Sequence, residues 1–506
     1  MAFKLEETTI SKIHAALRAG EITCAELVAG YLARIEAYDR SGPTINSIVT
    51  VNPRAQDEAA RLDAQFATSG QLSGPLHGVP IVVKDQAETA GIMTCFGSIA
   101  LDGYIPEKDA TAVARLHAAG AIILAKTALP DFATSWFGYS SKSGTTKNPY
   151  DLAHDPGGSS SGTGAAVAAN LGAIGLGEDT GGSIRLPSSF DNLVGLKVTP
   201  GLISRAGMSP LVVFQDSAGP MCRTVTDAAK MLEVLAGFDP ADPYTATAII
   251  AGEVKYSERL DQAALSSVRI GVVREVFGDA SDPQAAEVNT VIEAALEAMT
   301  AAGATLVDIT IPDLQHYIEL SSMYVIHSRH DIDSFLSRHD IDSFLAARPQ
   351  LPMRTLKDIV DAKKYHPKCE LIDALVEGPE DPYSDPEYYQ RYTAREQFQR
   401  VVINEIAKAG ASALVFPTTQ VPSPSRAELD GGKWPMLDFP TNTFIAAQTW
   451  MPAMSVPAGF TPGGLPVGLE IVGLPYREAD LLSLAYAFEQ VTMHRRPSVH
   501  VPELPE

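Results

Sequence analysis

Short β-branched runs alternate with helix-patterned segments over most of the chain, and this alternation constrains the fold more than any other feature. Ile81-Val82-Val83 is a strand-like run that follows the turn-rich Gly74-Pro75-Leu76-His77-Gly78-Val79-Pro80. Residues 109–119 read as helix, 121–126 as strand, and 165–171 and 225–235 as helix. The pattern continues with a strand at 267–273, a helix at 285–302, strands at 305–309, 413–416 and 454–457, and a helix at 479–492. Such alternation predicts a mostly parallel or mixed sheet covered on both faces. Ahead of it, residues 8–38 and 54–66 read as helices, with Thr9 and Ser11 where caps are wanted. No Pro/Ser linker divides the chain, so one large α/β domain over residues 1–506 is expected. A chain of this length buries about three quarters of its unfolded surface and needs no disulfide staples.

Charge narrows the function. Lys and Arg number 39 against 61 Asp and Glu, a net charge of −22, which argues against a nucleic-acid partner held by phosphate contacts. The four cysteines, at 24, 95, 222 and 369, form no CxxC pair, and reduced structural thiols are expected. The first residues carry charges where a signal peptide needs an apolar core, and no apolar run reaches ~18 residues. A cytoplasmic protein with no membrane partner is the expectation.

Two glycine-rich stretches carry the chemistry. Pro156-Gly157-Gly158-Ser159-Ser160-Ser161-Gly162-Thr163-Gly164 exposes much backbone, but no lysine follows it as in a P-loop, and a turn precedes it where a dinucleotide fingerprint needs a strand. In Asp179-Thr180-Gly181-Gly182-Ser183-Ile184-Arg185, consecutive glycines let backbone N–H groups converge on one point, as an oxyanion hole requires. Ser183 at its end is a candidate nucleophile, which needs a base. Lys84, at the end of the apolar run 81–83, supplies one if burial leaves its amine neutral.

Together, Gly78-Val79-Pro80-Ile81-Val82-Val83-Lys84-Asp85 and the two glycine-rich stretches resemble the amidase signature family of Ser–cis-Ser–Lys hydrolases. Lys84 and Ser159 are 75 residues apart and Ser159 and Ser183 are 24 apart, which is the family's spacing. Residues 194–197, 215–221, 455–460 and 464–469 also look like family segments. The resemblance implies an α/β/α sandwich around a large mixed sheet, with a helical segment at about 8–66, a catalytic core at about 74–222 and the rest of the same domain at about 223–500. It implies Ser183 as nucleophile, Ser159 as bridging serine after a cis peptide, and Lys84 as base. It implies an oxyanion hole from the N–H groups of Thr180, Gly181, Gly182 and Ser183, with Asp179 and Arg185 in support. Neither a metal nor an organic cofactor is implied.

The reaction so implied is hydrolysis of a small-molecule amide to acid and amine or ammonia, in the manner of bacterial peptide-amide and general amidases. The alternatives are a carbamate or aryl-acylamide hydrolase of the same fold, or the amide-cleaving member of a tRNA-dependent amidotransferase complex. A homodimer stays open. The sequence departs from the family at Ser188, Ser189, Asp191 and Asn192, and at Trp450, where relatives often carry glycine. The aromatic segment at 135–139 reads as buried core or as a pocket wall.

One further feature is a tandem copy: residues 328–336, Ser-Arg-His-Asp-Ile-Asp-Ser-Phe-Leu, recur as 337–345. A nine-residue shift turns a helix by about 180° net, so a continuous helix would present Phe335-Leu336 and Phe344-Leu345 on opposite faces. One copy is therefore expected to be bulged, looped or exposed, and dispensable. No Glu or Cys beside the two His-Asp-x-Asp runs completes a metal site.

Overall fold

The structure is a computed structural model and describes residues 3–321, 335–377, 381, 383 and 387–504. Its centre is an 11-stranded sheet. In chain order the strands are β1 (Ile48–Val51), β2 (Pro80–Lys84), β3 (Ile122–Thr127), β4 (Ile174–Asp179), β5 (Val194–Lys197), β6 (Ser217–Cys222), β7 (Arg269–Val272), β8 (Thr305–Asp308), β9 (Ala413–Pro417), β10 (Ala453–Phe460) and β11 (Pro466–Val472). Their spatial order is β1-β3-β2-β4-β6-β5-β10-β11-β9-β7-β8. β3, β2 and β4 run parallel, as do β9, β7 and β8, and the remaining neighbours are antiparallel. The sheet is therefore mixed, with helices on both sides.

The strands β2, β3, β7, β8, β9 and β10 fall where the sequence pattern puts them, whereas the pattern does not mark β1, β4, β5, β6 and β11. Thr9 caps the helix Ile10–Ala19 through its side chain, and Thr23 and Glu26 form a capping box on Cys24–Arg34. The second helix continues as a π-helical turn, Ile35–Arg40. Every residue of β2, β3 and β4 is buried, as expected of parallel strands covered on both faces. All four cysteines are buried and free. Among the described residues no helix is long and apolar enough to cross a membrane.

The second nonapeptide copy lies in the helix Phe335–Ala346, where Ile341 and Leu345 are fully buried. Residues 328–334 of the first copy lie outside the described residues. The second copy is thus neither looped nor exposed. Asp340 accepts the Val213 N–H at 2.8 Å and Asp342 accepts the Leu356 N–H at 2.6 Å, so the helix pins two neighbouring segments.

Candidate active site

β2 lies between β3 and β4, parallel to both, so Lys84 at the end of β2 sits beside the end of β4. Open sheets place their sites at the carboxyl ends of parallel strands, and this one follows the rule. Lys84 is fully buried, and its Nζ donates to Ser159 Oγ at 2.8 Å and to the Glu178 carbonyl at 3.2 Å. Burial pushes the Lys84 amine below its ordinary value, and the charges of Glu178, Asp179 and Asp216 oppose that shift without cancelling it.

Ser159 follows a cis peptide from Gly158. The next two serines anchor its loop. The Ser160 N–H donates to the Ser183 carbonyl at 3.1 Å, and Ser160 Oγ donates to the Glu178 carbonyl at 3.1 Å. The helix Ser161–Ala168 then begins, with all eight residues buried. Glycine is required within it at 162, because a Cβ there would lie 2.3 Å from the Ala128 nitrogen and 2.4 Å from the Ser47 carbonyl oxygen. The glycine run thus serves close backbone packing, which accounts for its composition without a phosphate ligand.

Ser183 is 3% exposed and lies in a turn wrapped around Asp179. The Asp179 carboxylate accepts the N–H groups of Gly182 at 2.8 Å, Ile184 at 3.0 Å and Arg185 at 3.3 Å. The Arg185 guanidinium grips the same carboxylate at two points, each 3.1 Å, and donates to the Thr443 carbonyl at 2.9 Å. Arg185 also pairs with Glu470, whose carboxyl burial pushes up to about 7 against the pull of that arginine. Burial favours the neutral acid at Asp179, but the Arg185 contacts outweigh it and hold the carboxyl below its ordinary value. Thr443 closes the turn from the other side, donating from Oγ1 to the Gly181 carbonyl at 2.7 Å. Gly182 has φ +123°, and a Cβ there would meet Thr443 Oγ1 at 2.2 Å, so no other residue fits.

One N–H of the expected oxyanion set is engaged inside the turn. The sequence motif places Gly182 among the oxyanion donors, but its N–H is committed to Asp179. That leaves the N–H groups of Thr180, Gly181 and Ser183 as candidates for the role. Asp179 and Arg185 tie the turn together through these contacts.

Several neighbours carry little or no sequence signal. Glu178 reaches Lys84 with Oε2 at 3.3 Å, and its position directly before Asp179 is the one local hint. Gln215 donates to the Thr180 carbonyl at 2.5 Å and also pairs with Arg395. Thr443 and Glu470 lie more than 250 residues from Arg185 and have no local signal. The aromatic segment at 135–139 is buried and packs on Gly158, and Trp136 meets Phe444 edge-to-face at 5.1 Å. Among the described residues no group of three or more His, Cys, Asp or Glu is arranged to hold a metal ion.

A lysine buried against a serine, with a second serine in a glycine-rich turn, defines the class of carbon–nitrogen hydrolases that work with two serines and a lysine. The chain belongs to the amidase family, whose sequence model matches residues 26–482. It is 36% identical to the A subunit of the glutamyl-tRNA(Gln) amidotransferase of Ralstonia pickettii (strain 12J), over 97% of this chain and 99% of that one. It superposes on the native peptide amidase of Stenotrophomonas maltophilia with a TM-score of 0.85 at 35% identity, over 97% and 98% of the two chains. A peptide amidase bound to the competitive inhibitor chymostatin gives 0.86 at 35% identity, over 98% and 100%. The chain is therefore an amide-cleaving enzyme.

Proposed function

We propose that the protein hydrolyses a carboxylic amide to acid and amine or ammonia through an acyl-enzyme on Ser183. Lys84 is the base and Ser159 the bridge. Neutral Lys84 takes a proton from Ser159 as Ser159 takes one from Ser183, and the Ser183 oxygen attacks the carbonyl. The N–H groups of Thr180, Gly181 and Ser183 hold the oxyanion, each worth roughly 3–4 kcal/mol in comparable hydrolases. The proton returns through Ser159 to the leaving nitrogen, which departs poorly unless protonated. Water then enters and the same relay activates it. The observation that carries this reading is the buried 2.8 Å contact from Lys84 Nζ to Ser159 Oγ.

The 35% identity to peptide amidases supports a C-terminally amidated peptide as the amide. The 36% identity to an amidotransferase component favours a second reading, in which the chain draws ammonia from an amide donor inside a complex. Purified chain, alone, is offered amidated peptides, simple and aryl amides, carbamates and glutamine, with ammonia and amine detected. Release of ammonia from amidated peptides without any partner is expected. Turnover of glutamine alone, and only with a second protein present, would replace the first reading with the second.

A further inference from the structure

Lys84 has a carboxyl neighbour, and that carboxyl is one of two. Glu178 Oε2 lies 3.3 Å from Lys84 Nζ. Glu178 Oε1 lies 2.9 Å from Thr180 Oγ1, and the same hydroxyl oxygen lies 2.5 Å from Asp216 Oδ1. A threonine hydroxyl has one proton and two lone pairs, so it donates to only one of these oxygens. The other contact needs a proton on the carboxyl side, since two bare oxygens at that distance repel. Bulk water has little access to relieve the repulsion, because Glu178 is 1% exposed and Asp216 3%.

Resting on the hydrolase reading above, we propose that Glu178 and Asp216 hold a single proton between them through Thr180, and that this pair sets the charge state of Lys84. Opposing forces keep the proton from settling. The Leu211 and Val212 N–H groups donate to Asp216 at 3.0 Å each and favour its ionised form. Burial, and then the charge of Glu178, push Asp216 well above its ordinary value. Both carboxyls line a cavity of about 410 Å³ whose other charged groups have partners of their own. Arg205 is held by Asp242 at 2.7 Å and stacks on Tyr244, and Asp340 accepts the Val213 N–H. Asp179, which also faces Lys84, is held by Arg185.

The pair acts on Lys84 by position. When Lys84 gains the proton of the attacking serine it becomes an ammonium. The one negative charge of the pair then faces it at Glu178, with the shared proton on Asp216. When the proton passes to the leaving nitrogen, Lys84 is neutral again and the shared proton is free to return toward Glu178. No proton is created or lost. Glu178 and Asp216 are thus positioning residues for the base.

Two neutralising variants test this, because proton sharing sends them in different directions. In Glu178→Gln the remaining charge sits on Asp216, farther from Lys84. The acidic limb of the kcat/KM profile should move down by about one pH unit or more. In Asp216→Asn the charge is confined to Glu178, and the limb should stay or rise. Difference infrared spectra at neutral pH should show one protonated-carboxyl band of the wild type lost in both variants. If both limbs fall alike, or neither moves, or the band survives in both variants, the sharing is overturned. The infrared arm does not depend on turnover. A wild type inert toward every amide and ester would sink the hydrolase reading while the proton count is still decided.

Discussion

Lys84 Nζ donates to Ser159 Oγ at 2.8 Å, and neither side chain has any exposed surface. Burial lowers the pKa of Lys84, so a neutral amine is available at a pH where an exposed lysine is charged. A base of this kind works above its pKa and fails below it. Activity should therefore fall as pH drops through that lowered value. Lys84→Ala should lose about 10²–10⁴-fold in kcat/KM. A flat profile from about pH 5 to 9 with chemistry rate-limiting contradicts a titrating base.

The bridge predicts a substrate difference. An amine leaves only when protonated, whereas an alkoxide or phenoxide leaves more readily. Ser159→Ala should slow amides roughly tenfold or more beyond its effect on esters of the same acid. Paired kcat/KM measurements check it, and equal losses on both substrates would remove Ser159 from the proton path.

Asp191 is fully buried, and among the described residues neither carboxyl oxygen has a hydrogen-bond partner. Burial, then the charge of Asp155, raise its pKa well above the ordinary carboxyl value. The folded state therefore holds this proton after the unfolded chain has released it, and stability falls as pH rises through that window. Asp191→Asn removes the titration. It should raise Tm by about 2–4 °C at pH 7, with less gain near pH 4. Thermal melts across pH check this, and a gain that grows toward acid would reverse the assignment.

The two nonapeptides are identical, so deleting 328–336 or 337–345 yields the same chain. The surviving copy can occupy the helix Phe335–Ala346 and keep Ile341, Leu345 and the two aspartate contacts. The deletion should shift Tm by no more than about 3 °C, and a chelator should leave both forms unchanged. A deletion variant that does not fold would show that both copies are structural.

The parts of the site that are legible in the sequence are the ones its own segments impose. The apolar run into Lys84 marks a strand end, and the glycines at 162 and 182 mark close approaches that exclude a Cβ. The strands β4, β5 and β6 give no strand signal in the sequence, because each carries glycine and none has a run of β-branched residues. The contacts of Thr443 and Glu470 with Arg185 are tertiary, and nothing in the neighbourhood of either residue announces them. Trp450 is intermediate. Its departure from the family's glycine is visible in the sequence, and the structure shows its backbone at φ +56°, a left-handed conformation that suits glycine. Its indole packs against Phe214 and Tyr392, which offsets the strain.

The central claim is that Ser183 carries the acyl group. It is tested most directly by incubating the enzyme with a fluorophosphonate or a slowly released acyl ester and locating the adduct by peptide mass spectrometry. One adduct per chain on Ser183 is predicted, absent in a folded Ser183→Ala variant whose turnover is down roughly 10⁶-fold. An adduct on Ser159 or any other residue, or full turnover by Ser183→Ala, would contradict the account.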